Sequence, residues 1–129
     1  MKILIVDDDS DILKMITRTL EHAGHTVQGC TSAFGVSALV LREGYDLILI
    51  DVMMPGLDGP HLAALLGQLK LARRPQLVLW SAMDETRLRA VGLEAGLPTL
   101  SKSLHPSQLV AKLTKMATGT TGAYRAPKK

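Results

Sequence analysis

Four polar stretches each follow directly on an apolar run, and their residue types complement one another chemically. Asp7-Asp8-Asp9 follows Ile3 to Val6, Asp51 follows Leu47-Ile48-Leu49-Ile50, Ser81 follows Leu77 to Trp80, and Lys102 follows Thr99-Leu100-Ser101. Carboxylates gathered in one crevice repel each other, and a hard divalent cation with oxygen ligands relieves that repulsion. Mg2+ suits a partly open site of this kind, because it keeps several waters and is readily shared with a phosphate. A carboxylate can also attack phosphorus and become an aspartyl phosphate. A metal and a lysine would then neutralise the phosphoryl oxygens, and a hydroxyl would bind one of them. Asp51, which closes the run Leu47 to Ile50 and precedes the turn Met54-Pro55-Gly56, is the residue on which a function would be expected to depend most.

These roles require the four stretches to meet, and the pattern of elements provides for that. Unbroken apolar runs such as Leu47 to Ile50 are expected of strands buried on both faces, as in a parallel sheet under helices. Between them, apolar residues recur at helical spacing. Ile12, Met15, Ile16, Leu20 and Ala23 mark a first helix with Ser10 as N-cap, and Val36, Leu39 and Val40 mark a second, capped by Thr31-Ser32. Leu62, Leu65, Leu66 and Leu69 mark a third, closed by Lys70, Arg73, Arg74 and Pro75. Asp84 to Ala95 reads as a fourth helix, and a fifth starts at Pro106 and buries Leu109, Val110, Leu113 and Met116. With a second strand at Thr26 to Cys30, the order is five strands alternating with five helices. That predicts an α/β, doubly wound fold with a five-stranded parallel sheet, all of whose C-terminal strand ends lie on one edge.

At 129 residues the chain is expected to form one domain. The formal charge is +3, but five of the 15 basic residues fall in the last eighteen positions, so the body is close to neutral and nucleic-acid binding is not expected. Cys30 is the single cysteine and reads as a buried strand residue in a reducing compartment. No signal peptide and no run approaching the ~18 residues of a membrane span is present, which predicts a cytoplasmic protein without membrane insertion. No Gly-rich phosphate loop follows any strand, which disfavours dinucleotide and P-loop chemistry. His22, His25, His61 and His105 are scattered and read as surface or packing residues; Trp80 and the methionines read as core. From Ala117 onward the composition turns to Thr, Gly, Ala, Pro and Lys, so residues 1–117 are expected to form the domain and 118–129 a flexible tail or linker.

Taken singly, each polar stretch has a simpler role: a solvated turn, a helix cap, a surface charge. Their order after successive strands lifts them together. Ile5-Val6-Asp7-Asp8-Asp9, Asp51-x-x-Met54-Pro55-Gly56-Leu57-Asp58-Gly59, Ser81-Ala82 and Lys102 resemble the signature positions of bacterial two-component response-regulator receiver domains, over roughly residues 2 to 116. The resemblance implies a flavodoxin-like (receiver) sheet in the order 2-1-3-4-5. It implies Asp51 as phosphoacceptor, Asp7 and Asp8 together with Asp51 and the backbone carbonyl of Met53 as the Mg2+ site, and Ser81 and Lys102 as the phosphate-binding hydroxyl and lysine. It further implies a sensor histidine kinase or phosphotransfer protein as phosphoryl donor and a downstream protein partner. The protein would then be no enzyme beyond its own phosphoryl transfer and dephosphorylation.

Two positions depart from that family's pattern. Receivers usually carry an aromatic residue three positions before the lysine and a proline directly after it, where this chain has Thr99 and Ser103. A Lys-Ser bond is expected trans, because cis costs roughly 2.5–4 kcal/mol without proline. These departures keep a second reading in play, a receiver-like interaction module whose output does not depend on phosphorylation. An unrelated Mg2+-dependent phosphatase or phosphotransferase with an aspartyl intermediate is a third. For that reading the sequence offers neither a general acid two residues after Asp51, where Met53 stands, nor a cap domain.

Overall fold

The computed structural model describes residues 1–54, 56 and 58–118. Five strands form one parallel sheet: β1 (Lys2–Val6), β2 (Thr26–Cys30), β3 (Leu47–Asp51), β4 (Gln76–Ser81) and β5 (Thr99–Ser101), in the order β2-β1-β3-β4-β5. The helices between and after them are α1 (Ser10–His22), α2 (Val36–Glu43), α3 (Gly59–Gly67), α4 (Glu85–Ala95) and α5 (Pro106–Thr118). All five residues of the central strand β3 are buried, as its unbroken apolar run requires.

Strand alternation divides the core in two. Ile3, Ile5, Leu47, Leu49, Val78, Trp80 and Leu100 pack under α1 and α5, whereas Leu4, Val6, Ile48, Ile50 and Leu79 pack under α2, α3 and α4. Asp51 follows Leu49 by two residues and pairs in register with Trp80, so the acidic residue continues the α1/α5 face.

Several local expectations are corrected. Asp9, not Ser10, caps α1: its extended backbone lets the carboxylate accept from the amides of Asp11 and Ile12. The buried stripe of α1 is Leu13, Ile16 and Leu20, which leaves Met15 and Ala23 exposed. Thr31-Ser32 does not cap α2. Ser32 Oγ accepts from the Phe34 amide in the loop, and Gly35 precedes the helix with φ 79°, without a side-chain cap. α3 stops at Gly67, short of the basic cluster; Leu65 lies on its exposed side and Leu69 packs beyond its end. Among the methionines, Met53 is 69% exposed. Cys30 is only half-buried, and partial burial pushes its thiol up. The expected tail lies outside the described residues except for Thr118, which closes α5.

Gly59 fixes how α3 meets the sheet. A Cβ there would lie 2.9 Å from Val52 Cα and collide with the Asp51 carbonyl, so only glycine allows the first turn of α3 to sit against the end of β3. Asp58 caps the helix by accepting from the His61 amide at 2.8 Å, and Pro60 follows in the first turn.

Candidate functional site

The C-terminal edge of the sheet brings Asp7, Asp8, Asp51 and Lys102 together. One carboxylate oxygen each from Asp7, Asp8 and Asp51 lies within 4.8 Å of the others. Asp7 is fully buried, Asp51 is 4% exposed, and Asp8 is open to solvent. Two buried carboxylates and one exposed one make a crevice closed on the sheet side and open outward.

Lys102 is the counter-charge. Its Nζ stands 2.8 Å from Asp7 Oδ2 and 3.3 Å from Asp51 Oδ2. The approach to Asp7 is off the direction of a hydrogen bond, so Asp7 Oδ2 has a charge beside it and no aligned donor. The other oxygens are oriented by backbone: Asp7 Oδ1 accepts from the Asp9 amide at 2.9 Å, and Asp51 Oδ1 from the Met53 amide at 3.3 Å. Burial, and secondly the Asp7 carboxylate, push the Asp51 carboxyl up to about 6, against the opposing pull of Lys102 and the Met53 amide. One ammonium cannot neutralise this cluster. A hard cation with oxygen ligands fits the donor set, three carboxylates including a buried oxygen that lacks an aligned donor.

Ser81 ends β4 on the same edge and is 5% exposed. Its Oγ accepts from the Met83 amide at 3.1 Å, and its carbonyl accepts from the Lys102 amide at 2.8 Å, which ties the β5 end to the β4 end. Met53 presents its amide to Asp51 while its side chain is open to solvent.

The Lys102–Ser103 peptide is trans, as expected without proline. The turn is closed instead by hydroxyls: Ser101 Oγ accepts from the Ser103 amide at 3.1 Å and lies 2.6 Å from Ser103 Oγ. Thr99, half-buried, packs on α4 at Gly92, where a Cβ would stand 2.5 Å from Thr99 Cγ2 and 2.8 Å from the Leu97 carbonyl. Two features of the site are scarcely legible in the sequence. The Ser101–Ser103 pair was signalled only by hydroxyls at i and i+2 around the lysine. The second is Trp80, read as core: it is 1% exposed, yet the Lys102 ammonium lies over its ring, 5.1 Å from the centroid.

Known proteins share this fold. Residues 3–114 match the model of the response regulator receiver domain. The phosphate regulon transcriptional regulatory protein PhoB of Pseudomonas aeruginosa is 35% identical over 112 residues, which are 86% of this chain and 49% of that protein. The chain thus spans about half the length of the curated relatives it matches. The Francisella response regulator 1452 receiver domain superposes with a TM-score of 0.79 at 28% identity, covering 92% of this chain and 98% of that one. The BeF3-activated N-terminal receiver domain of Klebsiella pneumoniae RstA gives 0.79 and 28%, covering 91% and 98%.

Proposed function

The chain belongs to the receiver domain family of response regulators, and from that premise we propose that it is a phosphorylation-dependent switch with Asp51 as phosphoacceptor. The observation that carries this reading is the buried Asp51 carboxylate, 3.3 Å from the Lys102 ammonium at the mouth of an acidic crevice. An Asp51 oxygen attacks phosphorus as the bond to a phosphohistidine nitrogen breaks, and the electron pair leaves on the imidazole; with acetyl phosphate, acetate leaves. Asp7, Asp8, Asp51 and the Met53 carbonyl would hold Mg2+, which when bound supplies charge to the crevice and to the phosphoryl oxygens. Lys102 moves from carboxylate to phosphoryl oxygen over a short distance, and the Ser81 hydroxyl binds a second oxygen. The phosphoryl donor is a sensor histidine kinase or phosphotransfer protein in a cytoplasmic setting, and the output is altered affinity for a downstream protein. Beyond its own phosphoryl transfer and loss, the chain has no enzymatic role in this reading.

A second reading, a receiver-like interaction module whose output ignores phosphorylation, is favoured by one contact. Thr99 is wedged on Gly92 and has no ring to reorient. The first reading is tested by incubation with acetyl phosphate followed by intact mass. It expects one phosphoryl increment that requires Mg2+ and is lost in Asp51→Asn. Equal labelling of that variant, or indifference to EDTA, overturns it.

A further inference from the structure

Lys102 has to be held beside Asp51 without the rigid residue that usually follows it, and its own neighbours do only part of that. The Ser101–Ser103 hydroxyl pair and the Ser81 carbonyl fix its backbone. A long methylene stem still separates that backbone from the ammonium. An ammonium on so flexible a stem samples many rotamers unless something defines its position. The acidic oxygens attract it, but an attraction to Asp7 and Asp51 alone also draws it deeper, toward the fully buried Asp7.

Trp80 stands at the right place to set the depth. It pairs in register with Asp51 across β3 and β4, and with Leu100 across β4 and β5. Its indole therefore lies on the α1/α5 face between the acid and the strand that carries the lysine. The ammonium is 5.1 Å from the ring centroid, within the range of a cation–π contact. Trp80 is nearly fully buried, and its Nε1 has no acceptor among the described residues. No hydrogen bond of the indole among the described residues therefore accounts for its placement, and a charged group stands over its ring, the Lys102 ammonium. A desolvated indole face is a favourable seat for a cation, whereas an aliphatic side chain would offer volume without attraction.

We propose that Trp80 is a positioning residue for phosphoryl transfer: its indole face seats the Lys102 ammonium within reach of Asp51. The proposal rests on the phosphorylation reading above, and it assigns to Trp80 an action exerted only through Lys102. The substitution Trp80→Phe keeps an aromatic face; Trp80→Leu keeps apolar volume and removes the face.

The experiment has two arms. In the first, without Mg2+ or phosphate, NMR locates the Lys102 ε-methylene protons, which a ring beneath them shifts upfield. The parent is expected to show that shift, Trp80→Phe to keep part of it, and Trp80→Leu to lose it. A parent resonance at the position of an exposed lysine overturns the contact, whatever the folding of the variants. In the second arm, acetyl phosphate labelling in Mg2+ is timed for folded variants. Trp80→Leu is expected to label about three- to tenfold more slowly, with Trp80→Phe restoring most of the rate. The leucine substitution should cost nothing further in a Lys102→Met background. An equal slowing in that background, or no slowing in the parent background, overturns the proposal. A parent that takes no phosphoryl group sinks the phosphorylation reading itself, and the first arm separates that result from failure of the contact.

Discussion

At Asp51 two effects act in one direction: burial and the neighbouring Asp7 raise its carboxyl from 3.8 to about 6, and Lys102 at 3.3 Å offsets only part of this. The folded protein therefore holds a proton that the unfolded chain has lost between those two pH values. Stability falls as pH rises from about 4 through about 6, and the contribution is fully present only below the unfolded value. Asp51→Asn removes the charge while leaving Lys102 its nearer partner Asp7 at 2.8 Å. In EDTA the variant is expected to be more stable than the parent at pH 7, by on the order of 1–3 kcal/mol. The gap should close toward pH 4. Urea denaturation at both pH values checks this; a less stable variant at pH 7, or a gap that widens on acidification, contradicts it. The acidic cluster is for the same reason a poor structural feature and a good binding one. Its repulsion is relieved by whatever brings positive charge to the crevice.

The elements carry two kinds of information of unequal legibility. Strands were plain because apolar runs end abruptly in polar residues, and β3 to Asp51 came out as expected. Caps were not, because Asp7-Asp8-Asp9-Ser10 offers four capping side chains and only backbone geometry selects Asp9. Likewise the stripe through Leu69 continues past the point where Gly67 and Gln68 end α3. At β5 the departure from the family's pattern has a physical counterpart. Thr99 is wedged against Gly92, and the turn after Lys102 is closed by Ser101 and Ser103. Thr99 has no ring to swing inward, so on the proposed reading a shift of Ser81 toward a phosphoryl oxygen would lack a bistable side chain to bias. Amide shift changes on adding beryllofluoride with Mg2+ are expected in the loops after Asp51 and Ser81 and to be small through Thr99, Leu100 and α5. Large changes there, abolished by Ser81→Ala, would mean that the strand does transmit the signal.

Across the whole molecule, strand alternation and register place the chemistry on one face. Asp51 continues the row of Leu47 and Leu49 and faces Trp80 in register, while Ile48 and Ile50 point the other way and pack under α2, α3 and α4. The parallel order β2-β1-β3-β4-β5 then brings the ends of β1, β3, β4 and β5 to one edge, a meeting that the sequence expresses only through the order of its polar stretches. Trp80's second role was hidden for the opposite reason: a buried tryptophan at a strand position is sufficiently explained by the core, and its contact with Lys102 exists only in three dimensions. Among the described residues no helix is long and apolar enough to cross a membrane. Reductive mapping locates the phosphoryl group in the sequence. Borohydride converts an aspartyl phosphate to homoserine, which peptide mass spectrometry then places in the sequence. After acetyl phosphate and Mg2+, homoserine is expected at position 51 and absent when Mg2+ is chelated; homoserine at Asp7 or Asp8 instead, or a phosphate that resists reduction at Ser81, would contradict Asp51 as the acceptor.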